Sequence, residues 1–425
     1  MIDGRYRPQA RGVIPRAHGR CAWAISSRRK SAVWPAAFLF LLAILLPAFG
    51  QSGGPALLLP MDNLQRDYCR AYGLVYRLLS RNTPNVFWLL NFRGGSFLVP
   101  DDPAVIEIAK RDGVSTERLS ADEVNGILNL ITEENMDVVP LEMAPRIGIY
   151  LRGKGQRDVV AGTLDYAGIP FNTIYDDEIL KGKLSDFDWI HIHHKDFTGQ
   201  GHKQSEGDYE EGISRSLGFS KVWQMKQKVA VALRDFVEKG GFIFAMCSAA
   251  ETVDISLAAE GVDIVPSLFD GDPADPNCNS KLDYTKTFAF TNFTVLTDSL
   301  SDYSDIDVPW AGPGTQFTLF PFSAQVDPIP CLLNQNHVNV IQGFDGETTS
   351  FRKSLVKKSV TILAENNDGV SVRYLMGYRG KGFFCFYGGH TPGRTEEDYR
   401  SKAPGFRLIL NNVLFPSAKV KKPKT

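Results

Sequence analysis

The chain has 425 residues, an ordinary 43% hydrophobic content, and 47 basic against 48 acidic residues, enough for a substantial core in one large domain or two ordinary ones. Residues 1–50 hold eight Arg or Lys against a single acid, Asp3, so the remainder carries 39 basic and 47 acidic residues, a net of −8. That balance excludes a broad electrostatic footprint for nucleic acid, and six cysteines without CxxC spacing exclude a disulfide scaffold or a thiolate metal knuckle.

In residues 1–50, Arg28-Arg29-Lys30 precede the apolar run Ala36 to Leu46 and then Pro47-Ala48-Phe49-Gly50. A charged region, a short apolar region and small residues in that order predict a signal peptide with an extended start. The apolar run falls short of the roughly 20 residues of a membrane span. The expectation is an exported protein, periplasmic or extracellular, with no stable membrane span after cleavage. Loss of Cys21 leaves five cysteines, which cannot all pair within one chain.

Residues 51–143 read as an N-terminal α/β unit. Ala56 to Pro60 and Val86 to Asn91 predict strands, Asn63 to Ser80 a helix, and Arg93-Gly94-Gly95-Ser96 a tight turn. Two further helices fall near Pro103 to Arg111 and Ala121 to Glu134. Residues 144–416 form the main domain. Strands are expected at Ile147 to Leu151, Phe171 to Tyr175, Asp188 to His193 and Phe242 to Met246, with helices between them. Val222 to Lys239 keeps helical spacing of its apolar residues and stops at Gly240-Gly241. Strands alternating with helices predict a parallel sheet flanked by helices on both faces. About 266–330 reads as an irregular β-rich insertion, and sheet character returns from Val360 to Tyr387. Residues 417–425 are a basic tail, read as a solvated end.

Three polar clusters fall where strands end, the place where open parallel sheets hold ligands. In Gly240 to Asp254 an apolar strand breaks at Cys247 and passes directly into a helix. A nucleophile on such an elbow needs small residues two places away, which Ala245 and Ala249 supply, and the helix amides favour a thiolate. The second cluster is His191-Ile-His193-His194-Lys195-Asp196. Strand alternation puts His191 and His193 on one face and His194 on the other. His193, His194 and Asp196 are candidate substrate-binding residues; the alternative is a transition-metal site on His191, His193, His194 and Asp196. The third is Tyr387-Gly388-Gly389-His390, where Gly389 lets the backbone approach a ligand and His390 could serve as the base for Cys247. Arg93, beside its glycine turn, could cradle an anion. Asp270, Asp272 and Asp275 have calcium-like spacing, but Asp-Pro turns account for it better. No cofactor fingerprint is present.

Gly380-Lys-Gly, an apolar strand and then Gly389-His390-Thr-Pro resemble the C-terminal signature of the trehalose-utilisation (ThuA-like) family. The resemblance covers about Arg146 to Phe415 and implies a class I glutamine amidotransferase-like, flavodoxin-like fold. The Cys247 elbow resembles the nucleophile position of class I glutamine amidotransferases. Leu89-Leu-Asn-Phe-Arg-Gly-Gly-Ser-Phe97, His193-His194-Lys195-Asp-Phe-Thr-Gly-Gln200, Phe244-Ala-Met-Cys-Ser248, Phe269-Asp-Gly-Asp-Pro-Ala-Asp-Pro276 and Leu408-Ile-Leu-Asn-Asn-Val-Leu-Phe-Pro416 are similar to a group of exported bacterial proteins labelled asparagine synthetase B. That label implies an N-terminal catalytic cysteine and an SGGxDS-type ATP loop, and neither is visible here. Where amidotransferases place an acid two residues after the histidine, this chain has Pro392, so the orienting acid would be Glu251, Asp254, Asp196 or Glu396. Lys195 stands where the labelled group has Glu, and ThuA-like members lack the elbow cysteine.

Three functions follow as expectations. One is a hydrolase acting on an amide or ester through Cys247, His390 and Glu251. Another is a ThuA-like carbohydrate-active or metal-assisted protein using His193, His194, Asp196 and His390. The third is a non-catalytic module binding a small molecule or carbohydrate.

Overall fold

The computed structural model describes residues 54–419, apart from 152, 201–206, 309–315 and 347. The expected signal peptide and the end of the basic tail lie outside the described residues.

Five short strands, β1 (Ala56–Leu59), β2 (Phe87–Leu90), β3 (Ser96–Pro100), β4 (Glu117–Leu119) and β5 (Asp137–Pro140), form a sheet in the order β4-β1-β3-β2-β5. Every pairing in it is antiparallel. The expected turn at Arg93 to Ser96 is present, with positive φ at Arg93, Gly94 and Gly95, and it reverses the chain from β2 into β3. Alternation splits this sheet between two cores. Leu57, Leu59, Trp88 and Phe97 join the main core through the helix Tyr68–Ser80, whereas Leu58, Phe87 and Leu98 pack with Val124 and Ile131 of the helix Ala121–Glu133.

The main sheet is mixed. Its strands are β6 (Ile147–Tyr150), β7 (Asn172–Ile174), β8 (Trp189–His193), β9 (Phe242–Met246), β10 (Phe317–Leu319), β11 (Val340–Ile341), β12 (Phe351–Arg352), β13 (Thr361–Glu365), β14 (Ser371–Arg379) and β15 (Gly382–Tyr387). The order is β11-β10-β13-β14-β15-β9-β8-β6-β7, with β12 on β14. From β15 to β7 all neighbours are parallel, and from β14 to β11 all are antiparallel. The protein is therefore a mixed α/β structure.

Both faces of the parallel half are covered, as continuous apolar strands require. On one face Ile147, Ile149, Trp189, Phe242, Phe244 and Met246 meet the helices Tyr68–Ser80, Val159–Ala167 and Pro404–Leu414. On the other Ile190, Ile192, Ile243 and Ala245 meet the helices Val222–Glu238 and Ser248–Ala258. The first face also takes in the inner side of the small sheet, so a single core runs beneath both sheets. The described residues contain five cysteines, all buried and none in a disulfide, and no helix long and apolar enough to cross a membrane.

Candidate functional site

Three parallel strands end level with one another. His193 pairs with Met246 and Met246 with Tyr387, so His194, Cys247 and Gly388-Gly389-His390 leave the sheet side by side at its carboxyl edge.

Cys247 has φ +55° and ψ −139°, a conformation an L residue holds at a cost of ~1–3 kcal/mol. Its N–H donates to the Tyr387 carbonyl (3.0 Å), and the helix Ser248–Ala258 starts at the next residue. Ala245 and Ala249 are fully buried on either side, where a larger side chain would crowd the turn. The thiol itself is mostly enclosed. Arg373 on β14 is buried nearby, donating from Nη1 to the carbonyls of Thr349 (2.7 Å) and Gly388 (3.2 Å) and from Nε to Asn366 (2.9 Å). Desolvation pulls this guanidinium below its ordinary pKa, against the opposing effect of the Asp307 and Asp368 carboxyl groups.

The histidines gather more tightly than strand alternation predicts. His194 takes a positive φ of +46°, which turns its ring back to the His193 side; the two rings stack with centroids 3.9 Å apart. His194 Nε2 lies 3.3 Å from His390 Nε2, and the His390 ring stands edge-on to His193 at 4.7 Å. His193, His194 and His390 each offer a ring nitrogen within 4.8 Å of the others. His193 Nε2 is buried without a hydrogen-bond partner among the described residues. Burial, then the neighbouring His193 and Arg394, push His390 down to about 3. Burial also lowers His193, against the pull of Asp158. Both rings are thus neutral at ordinary pH, the form in which imidazole donates a lone pair.

Asp158, unmarked in the sequence except as a helix start, completes the group. Its Oδ2 lies 3.4 Å from His193 Nδ1 and its Oδ1 3.4 Å from His191 Nε2. Oδ1 also accepts from the N–H groups of Val160 (2.7 Å) and Ala161 (3.2 Å) as the N-cap of the helix Val159–Ala167. Burial opposes ionisation of Asp158, but His191 and His193 hold it well below the usual carboxylate range. An Asp that caps a helix facing a histidine-bearing strand end was the available signal; read alone, it looks like any other cap.

The remaining candidates have other surroundings. Asp196 is fully buried, and its Oδ1 accepts from the Thr198 N–H (2.7 Å) and hydroxyl (2.6 Å). Burial and the negative charge of Glu210 raise it to about 6. It groups with Glu210 and Lys226 on the far face. Glu251 accepts from the Ser304 hydroxyl (2.5 Å). Arg93 is engaged with Asp62 (2.6 Å) and bidentately with Glu117 (2.7 and 2.8 Å). A side chain at Gly389 would strike the Tyr387 ring at 2.4 Å, so packing as well as ligand approach demands glycine there. Lys221 pairs with Asp270 (3.3 Å) and with Asp272, so an ammonium stands where the acidic loop would hold a cation.

No protein-family model matches the chain. No curated protein matches it either. Solved structures similar to it include a cytoplasmic protein of Salmonella typhimurium, at 10% identity and a TM-score of 0.34, covering 64% of this chain and 98% of the other. A Thermoplasma acidophilum protein described as a GMP synthase component has 9% identity and a TM-score of 0.31, covering 63% and 94%. A ThuA-like protein from Bacteroides uniformis has 10% identity and a TM-score of 0.29, covering 62% and 90%. The amidotransferase-like and ThuA-like resemblances therefore have weak structural neighbours and no support from a sequence family. Likeness at this level carries no conclusion about activity.

Proposed function

We propose that this protein is a metal-assisted hydrolase, its divalent transition metal held by His193, His194 and His390. The observation that carries this reading is the convergence of three ring nitrogens within 4.8 Å. Ligands 2.0–2.1 Å from a tetrahedral ion lie about 3.3–3.4 Å apart, and the 3.3 Å between His194 and His390 Nε2 equals that edge. Three imidazole nitrogens suit zinc and its neighbours better than magnesium or calcium. This set keeps His193, His194 and His390 of the metal-assisted reading and treats Asp196 and His191 as surroundings. A bound ion would supply Lewis-acid polarisation of a carbonyl or of water. Around it the chain keeps His193 and His390 uncharged and fixes the direction of their rings.

A flavodoxin-like reading, in which the carboxyl edge would hold the ligand, is supported by the order of the five parallel strands, second-first-third-fourth-fifth along the chain. The same order supports the finer class I glutamine amidotransferase-like reading of the fold. Export, read from residues 1–50, belongs to the same proposal, with an amide, ester or carbohydrate substrate outside the cytoplasm.

Metal analysis of protein purified without chelators tests the reading. About one equivalent of a zinc-class metal is expected, lost in His390→Ala and His194→Ala together with ester hydrolysis. Wild-type protein that hydrolyses esters without metal overturns it. A second reading rests on the backbone at Cys247: its positive φ between β9 and a helix fits an elbow nucleophile, with His390 as base. In that case an alkylating reagent abolishes turnover while the chelator does not. Absence of turnover under both conditions, with a carbohydrate raising the melting temperature, would leave the non-catalytic module.

A further inference from the structure

Asp158 is shared between a helix and two histidines. The His191 Nδ1 faces the Phe244 carbonyl at 3.1 Å; a carbonyl only accepts, so that nitrogen carries the proton. The ring is thereby pinned inside β8, with Nε2 turned to Asp158 Oδ1 at 3.4 Å. The same oxygen is fixed from below by the first amides of the helix Val159–Ala167. Oδ2 is thus presented to His193 Nδ1 at 3.4 Å by a carboxylate that is 7% exposed at its side chain. A carboxylate also only accepts. It selects the His193 tautomer protonated at Nδ1 and leaves the lone pair on Nε2, the nitrogen that is buried without a hydrogen-bond partner among the described residues.

We infer that Asp158 is the positioning residue of the metal site, setting the tautomer and direction of His193 while the helix cap holds the carboxylate in place. The inference rests on the three-histidine reading above. Metal-ligating imidazoles generally need such a partner on their other nitrogen, and its loss costs roughly 10–100-fold in metal affinity.

Asp158→Asn separates this role from the structural one. Asparagine caps helices about as well as aspartate, so the cap survives. The amide can, however, turn its NH2 toward His193 Nδ1, favouring the other tautomer and occupying Nε2 with a proton. The measurement is competitive zinc titration of the full-length protein, with the visible spectrum of the cobalt-substituted form as a second readout. Zinc affinity of Asp158→Asn is expected to fall about 10–100-fold with a changed cobalt spectrum, while the metal-free melting temperature stays at the wild-type value. Equal zinc affinity and an identical cobalt spectrum in the two proteins overturn the inference. A wild-type protein that binds neither ion overturns the site reading instead. Should Asp158→Asn lose metal-free stability, Asp158→Ser, which also caps but offers no carboxylate, must show the same affinity loss or the inference falls.

Discussion

His194 Nε2 and His390 Nε2 lie 3.3 Å apart although 196 residues separate them in sequence. Two imidazole nitrogens at that distance are either hydrogen-bonded to each other or poised to share an ion. The Nε2 of His193 beside them, without a hydrogen-bond partner among the described residues, favours the ion. An ion held there stabilises the folded state by mass action, by ~2.7 kcal/mol when free metal is 100-fold above its dissociation constant. A chelator should therefore lower the melting temperature of wild-type protein by several degrees, and leave His390→Ala unmoved. Equal chelator sensitivity in both proteins would place the metal elsewhere.

Much of this site was legible in the sequence, because the strands that deliver it announce themselves. Phe242 to Met246 after Gly240-Gly241, and Gly382 to Tyr387 before Gly388-Gly389, are unbroken apolar runs, and their ends fix where Cys247 and His390 emerge. The face of His194 was not legible: alternation assumes an extended backbone, and a φ of +46° breaks that assumption. Asp158 was hidden for a different reason, since its partners on β8 lie more than thirty residues away and the cap alone explains it. In the small sheet, β3 begins at the last residue of a glycine turn and β5 ends in proline, so both read as connections rather than strands. Their antiparallel partners, not their own composition, make them strands.

Arg93 provides a test outside the site. Burial opposes ionisation of Asp62, but the hydrogen bond and charge of Arg93, with the Leu64 N–H (3.0 Å), hold its pKa below the ordinary value. A depressed carboxylate contributes stability above its unfolded pKa of about 3.9, and that contribution is lost as pH falls through the folded value. Arg93→Gln should flatten the decline of stability below about pH 4, measured as the urea midpoint of metal-free protein, and leave zinc content unchanged. Parallel pH curves for the two proteins would show that this ion pair adds nothing.

On the opposite face of the sheet Lys226 is fully buried between Asp176 (3.2 Å) and Glu210. Burial opposes its charge, yet the two acids hold it above the ordinary lysine range. Lys195 stands 3.7 and 3.9 Å from the same acids. Removing one cation from such a cluster leaves buried negative charge, a change that costs ~3–5 kcal/mol. Lys226→Met should lose about that much by denaturant unfolding, and adding Asp176→Asn should restore a large part. If the double variant is no more stable than the single one, the loss comes from packing and not from charge.

Cys247 allows backbone and chemistry to be separated. Replacing alanine by glycine ordinarily costs about 0.5–1 kcal/mol through chain entropy. At φ +55° the sign should reverse, because alanine keeps the strain and glycine releases ~1–3 kcal/mol of it. Cys247→Gly is thus expected to melt about 1–2 °C above Cys247→Ala. With the opposite order, the turn would not be strained in solution. Metal content should be at the wild-type level in both variants, since the sulfur is outside the ligand set. Ester hydrolysis that survives in Cys247→Gly leaves the histidine-held metal as the reactive centre. Hydrolysis that vanishes while the metal stays bound makes the thiolate the nucleophile.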